Sequence, residues 1–186
     1  QKAQVVFWIG HELEAFLEKP LDTLSQNATR VALIDAPNMK TLSVRESEHT
    51  EHHDHDDVGR DAHLWLDPEN AKVMLGFISK NLSEIDPSNA KTYFANAEKA
   101  VISLDALSTD ITKTLEPARG KKFIVFHDAY QYFEQRFDVK SAAAISIHPE
   151  NPPGAKQIAA IQKIIVDEKV QCVFAEPQFD NKLITV

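Results

Sequence analysis

A single cysteine, Cys172, stands among the 186 residues of the chain. One thiol closes no disulfide within the chain and builds no thiolate metal cluster. Its apolar neighbours Val170, Val173 and Phe174 lead to the expectation of a buried small hydrophobe. The alternative is half of a disulfide whose partner lies outside this chain. Glycine is also scarce, with five scattered copies, so there is no glycine-rich phosphate loop. Nor is there a nucleophile elbow or a His-Glu-x-x-His zinc-protease pattern. No apolar run approaches the roughly 20 residues that cross a bilayer as a helix. Basic residues are outnumbered, 20 Lys and Arg against 28 Asp and Glu, for a net charge of -8. That sign repels phosphate backbones and anionic lipids, which argues against nucleic acid and membrane surfaces as partners, yet it does not repel divalent cations. An export leader is also missing. The chain opens at Gln1 rather than Met and stops as a new segment begins, so both ends are expected to be cuts within a longer protein, and the missing leader does not bear on location.

What is present is ordinary for a folded protein: 43% hydrophobic and 26% charged residues, with enough length to bury a core. The apolar run Val5–Ile9, ending at Gly10, predicts a buried strand. Leu13, Phe16, Leu17, Leu21 and Leu24 have helical spacing over residues 12–24, and Pro20 is expected to end or kink that helix. A second strand is predicted at Val31–Ile34. Asp67-Pro68-Glu69 is a strong helix start, with Asp as N-cap and Pro in the first helical position. Val73, Met74, Phe77, Ile78 and Leu82 supply its apolar stripe. From Asn89 to Glu116 no Gly or Pro interrupts a helical period. That length predicts a strut of roughly 42 Å. Beyond it, strands are predicted at 123–126, 142–147 and 170–175, with helices at 129–137 and 153–166. Strands alternating with helices imply an α/β fold of parallel sheets wrapped by helices. The expected organisation is a partial α/β lobe over 1–86, with a mobile His/Asp-rich loop at 44–60, a long connecting helix over 87–119, and a second partial α/β lobe over 120–186.

Three histidine features carry chemistry. Residues 46–57 hold six acids and four histidines (His49, His52, His53 and His55), with no basic or apolar side chain. Such a segment cannot bury enough surface to offset its ordering entropy, which predicts a mobile loop. Neutral imidazoles bind zinc, copper and nickel, and the carboxylates add negative potential, so these four form an auxiliary low-affinity metal collector. A plain solvated linker is the alternative. His127 is expected just after the strand that ends at Phe126, and ligands of open α/β sheets bind beyond the carboxyl ends of strands. Asp128 would cap the following helix or orient the imidazole from behind. His63 lies between the acidic loop and the capped helix, with Asp61 as an acceptor for its ring. His11 and His148 are expected at the surface.

Four stretches in order carry a family signature. They are Val6-Phe7-Trp8-Ile9-Gly10, Ala62-His63-Leu64-Trp65-Leu66-Asp67-Pro68-Glu69, Val125-Phe126-His127-Asp128-Ala129-Tyr130 and Cys172-Val173-Phe174-Ala175-Glu176-Pro177-Gln178. With the His/Asp loop they resemble the periplasmic zinc receptors of the ZnuA type, within the metal-binding cluster of ABC solute receptors. The resemblance implies two α/β lobes joined by a long rigid helix, with Zn2+ held between the lobes by His63 from the first and His127 from the second. It implies a monomeric receptor without catalysis, an extracytoplasmic (periplasmic) location, and delivery of the ion to the membrane permease of an ABC importer. Family members that take manganese often carry Glu where His127 stands, and imidazole there favours zinc over the harder cation. Glu176 and Pro177 match a motif of the second lobe, and Glu176 is not assigned as a ligand. By resemblance a further His ligand lies upstream of the Trp8 strand, and a carboxylate and the partner of Cys172 lie downstream. Two imidazoles do not complete a tetrahedral zinc site. The competing readings are a manganese or iron receptor of the same family, a zinc-dependent hydrolase using His127 and Asp128, and a metal buffer working only through residues 46–57. The hydrolase reading lacks a general-base Glu spaced near a ligand.

Overall fold

The structure is a computed structural model, which describes residues 2–24, 26–45, 59–146 and 154–177. The chain divides into two compact units, Gln1–Asp110 and Ile111–Val186. No helix among the described residues is long and apolar enough to cross a membrane.

In the first unit, strand β1 (Val5–Trp8) pairs in parallel with β2 (Thr29–Ala32), Val5 opposite Thr29 and Trp8 opposite Ala32. All four β1 residues are half-buried rather than buried, since β1 has a single paired neighbour among the described strands. Gly10 follows with a φ of 149°, and a Cβ there would meet Ile34 Cγ2 at 2.7 Å. Only glycine suits that junction. The helical stretch after it is broken earlier than proline chemistry alone predicts. Helix α1 (His11–Glu14) gives way to a 3-10 turn at Ala15–Leu17, and α2 (Glu18–Leu24) starts afresh. Pro20 therefore falls in the first turn of α2, where its missing N–H and ring do no damage. The second strand begins earlier than its apolar residues, at Thr29, and Leu33–Asp35 form a 3-10 turn. The polar start of β2 hid it from a reading based on hydrophobic runs.

Asp67 caps helix α3 (Pro68–Ile85), its Oδ1 accepting from the Glu69 amide at 3.0 Å, with Pro68 in the first turn as expected. The core of this unit includes Val31, Leu33, Ile34, Leu64 and Met74. A corner at Asp86 joins α3 to the long helix α4 (Ala90–Leu115). The Asp86 carboxylate accepts from Ser88 Oγ (2.6 Å), Asn89 Nδ2 (2.6 Å) and Tyr93 Oη (2.9 Å). These three bonds, Ser88 first, hold its pKa down to about 2. Lys72 binds Glu69 and Asp105, tying α3 to α4. At 26 residues α4 is about 39 Å long. The division between the units falls inside it.

The second unit is a three-stranded parallel sheet in the order β4-β3-β5. The strands are β3 (Phe123–His127), β4 (Ala143–Ser146) and β5 (Cys172–Phe174). Helices α5 (Gln131–Phe137) and α6 (Ala155–Asp167) make the crossovers. Ile124, Phe126, Ile145 and Ile161 form its core, with Ala142, Ala143, Ile165, Val170 and Val173 packed against it. Cys172 corrects an expectation: it is exposed. Successive side chains of a strand point to opposite faces, so Cys172 and Phe174 face out while Val173 packs inward.

Candidate metal centre

His63 lies in the first unit, between a pair of short backbone contacts and the cap of α3. Its position is set by one neighbour. The Asp61 carboxylate, on a residue only 5% exposed, receives the His63 backbone N–H at 3.0 Å and meets His63 Nδ1 at 2.8 Å, both on Oδ1. An ionised carboxylate can only accept, so the neutral ring carries its proton on Nδ1 and its lone pair on Nε2. That is the tautomer a metal-binding imidazole needs, oriented by a carboxylate behind it. The ring also leans against Trp65, with centroids 5.7 Å apart at a 54° tilt. Leu64, fully buried, anchors the next residue in the core. The side chain of His63 keeps 19% of its surface exposed.

His127 is held differently. It is the last residue of β3, paired with Ser146 of β4, rather than the first residue beyond the strand. It therefore sits at the carboxyl end of the central strand, where open α/β sheets place their ligands. Asp128 lies in the turn between β3 and the following helix. Helix α5 begins at Gln131, with Tyr130 in the cap position, and the Asp128 amide donates to Ser146 O at 3.2 Å. The turn 128–130 thus remains tied to the sheet. Tyr130 is bonded to the Glu176 carboxylate, just past β5. Burial first, then the charge and hydrogen bond of Glu176, raise the tyrosine pKa. This bond brings Glu176 to the turn that carries His127 and Asp128.

His11 is exposed, as expected, and its Nδ1 meets Glu18 Oε1 at 2.7 Å. His49, His52, His53, His55 and His148 lie outside the described residues. Among the described residues no group of three or more His, Cys, Asp or Glu side chains is placed to hold a metal ion. The feature that the sequence reading missed is Arg60, which bonds Glu12 and Asp35. Its only signal was that it is the sole basic residue between Arg45 and Lys72.

The fold places the chain in a class: parallel-sheet α/β with a long helix is the architecture of the metal-receptor solute-binding proteins. A crystal structure of ZnuA superposes with a TM-score of 0.81 over 97% of this chain and 65% of that one, at 24% identity. At that identity the likeness concerns fold. Residues 1–186 match the model of the family described as zinc-uptake complex component A, periplasmic (ZnuA), and the chain belongs to that family. It is 40% identical over 216 aligned residues to the high-affinity zinc uptake system protein ZnuA of Brucella abortus (strain 2308), covering 99% of this chain and 65% of the relative. The corresponding protein of Yersinia pestis is 36% identical over 196 residues, covering 96% and 61%. The chain thus spans 65% and 61% of the lengths of these two relatives.

Proposed function

We propose that the protein is the extracytoplasmic zinc receptor of an ABC importer, taking Zn2+ on the Nε2 atom of His63 and on the ring of His127, and passing it to a membrane permease without catalysis. The observation that carries this reading is the His63–Asp61 contact. A buried carboxylate on Nδ1 costs solvation, and it leaves the lone pair of the neutral imidazole on Nε2, the nitrogen a metal would take. His127 contributes from the end of β3, the second unit's natural ligand position. Both are borderline-soft nitrogen donors, which suit zinc better than manganese. Two imidazoles leave two positions of a tetrahedral zinc to other ligands, which the full-length receptor supplies. Asp61 serves as the orienting carboxylate of His63, and Asp128 as a neighbour of His127 in the turn. The histidines of residues 46–57 collect metal loosely and are dispensable for the tight site.

The test is zinc affinity of the full-length protein by competition with a chelator. His63→Ala and His127→Ala are each expected to weaken binding by more than the roughly 10–100-fold that loss of an outer-shell partner costs. Deletion of residues 46–57 is expected to leave the tight site intact. Unchanged affinity in either histidine variant refutes the assignment, and preference for manganese in direct competition moves the protein to the other metal class.

A further inference from the structure

The Asp61–His63 pair hangs from a small stem. Val44 N donates to Gly59 O at 2.9 Å and Asp61 N donates to Leu42 O at 2.7 Å. Between these bonds Ser43 and Arg60 form an antiparallel bridge. Each side of the stem is fastened to a different part of the first unit. On the side leading in, Asn70 of α3, almost wholly buried, donates Nδ2 to Lys40 O at 2.9 Å and accepts from Lys40 N at 3.1 Å. On the side leading out, the Arg60 guanidinium meets two carboxylates. Nε and one terminal nitrogen lie 2.7 and 2.5 Å from Glu12 Oε1, and the other terminal nitrogen lies 2.8 Å from Asp35 Oδ1. Glu12 stands in α1, just past β1, and Asp35 closes the turn after β2. Arg60 therefore fastens the stem beyond the carboxyl ends of both strands of the first sheet.

We infer that Arg60 is a positioning residue for His63: its clamp on Glu12 and Asp35 fixes the stem from which the Asp61 carboxylate projects, and so sets where the His63 ring meets a divalent cation. The inference rests on the ligand role proposed for His63. A single exposed ion pair contributes little. Here one planar guanidinium joins carboxylates from two elements, which fixes direction as well as proximity. The next residue of the chain, Asp61, carries the bond to the ring.

The sign of the effect separates this role from simple charge. Arg60 is a cation, so a purely electrostatic influence on a bound metal would be repulsive, and its removal would tighten zinc binding. A positioning role requires the opposite. In the full-length protein Arg60→Met is expected to weaken zinc binding by roughly 3–10-fold, at or below the lower edge of what outer-shell partners contribute. The visible absorption of the Co2+-substituted protein is expected to shift. Arg60→Lys recovers less than half of the loss, because an ammonium does not reproduce the fork that spans both carboxylates. Asp35→Asn, a mild change at an exposed position, is expected to move affinity and spectrum in the same direction by a smaller factor, and it decides the matter if Arg60→Met does not fold. A lowered melting temperature with unchanged zinc affinity and cobalt spectrum overturns the inference, as does tighter binding. His63→Ala measured alongside keeps the two proposals apart. If it leaves zinc binding intact, the ligand assignment fails. If it abolishes binding while Arg60→Met changes nothing, only the role of Arg60 falls.

Discussion

His63 and His127 are fixed in opposite ways. In the first unit the imidazole belongs to a segment with no regular ladder, and its placement comes from side chains: Asp61 on the ring, Leu64 in the core, Asp67 on the next helix. In the second unit the residue that carries the imidazole is part of the ladder itself, opposite Ser146 in the central strand. One is oriented by a hydrogen bond that a single substitution removes. The other stands on backbone placed by the pairing of a whole sheet. Point changes near the two should therefore fail differently, the first losing metal and keeping its fold, the second losing fold and metal together.

The largest effect is expected in the sheet. Ile124, within β3, is fully buried, and Ile124→Ala should cost about 2–5 kcal/mol in urea unfolding, with metal binding lost in step with the fold. A loss below 1 kcal/mol would mean that His127 does not depend on sheet packing. Asp61→Ala comes next. Zinc affinity should drop by roughly 10–100-fold while most of the unit stays folded by circular dichroism. Asp61→Asn should fall between, since it keeps an acceptor and loses the charge. Equal affinities in all three proteins would erase the contrast between the units. Removing the cap with Asp67→Ala should cost about 1 kcal/mol and disturb His63 less than Asp61→Ala does, because the cap acts on α3 and not on the ring. The smallest effect concerns acid. The Asp86 pKa is depressed to about 2 from 3.8, so its contribution is present above the unfolded value and is lost as pH falls through the folded one. Stability should decline between about pH 4 and pH 2, and Asp86→Asn should flatten that slope without touching zinc affinity at neutral pH. A slope unchanged in Asp86→Asn would place the acid sensitivity elsewhere.

The fold was legible where local chemistry was strong. Asp67-Pro68 announced α3, the uninterrupted stretch after Asn89 announced α4, and the apolar run at 123–126 announced β3. It was less legible where partners decide. Nothing local told Cys172 which face of its strand is covered, and β2 begins in the polar pair Thr29-Arg30. Helix α5 starts two residues later than expected, at Gln131, for a related reason: the Asp128 backbone stays bonded to Ser146 and ties the chain to the sheet. At the site, His63, Asp61 and His127 stood out as residue types in suggestive places. Arg60 did not, because its partners are 48 and 25 positions away along the chain, and a lone arginine beside an acidic run reads as a counter-charge.

The stem of residues 42–44 and 59–61 has an evolutionary corollary. A connection whose two feet are tied together can change its length at little thermodynamic penalty, since each doubling of a flexible loop adds only about 0.6 kcal/mol of closure entropy. Residues grafted between positions 45 and 59 would leave the neighbourhood of His63 undisturbed. Natural variation in sequence can thus accumulate there, or vanish, without renegotiating the geometry next door.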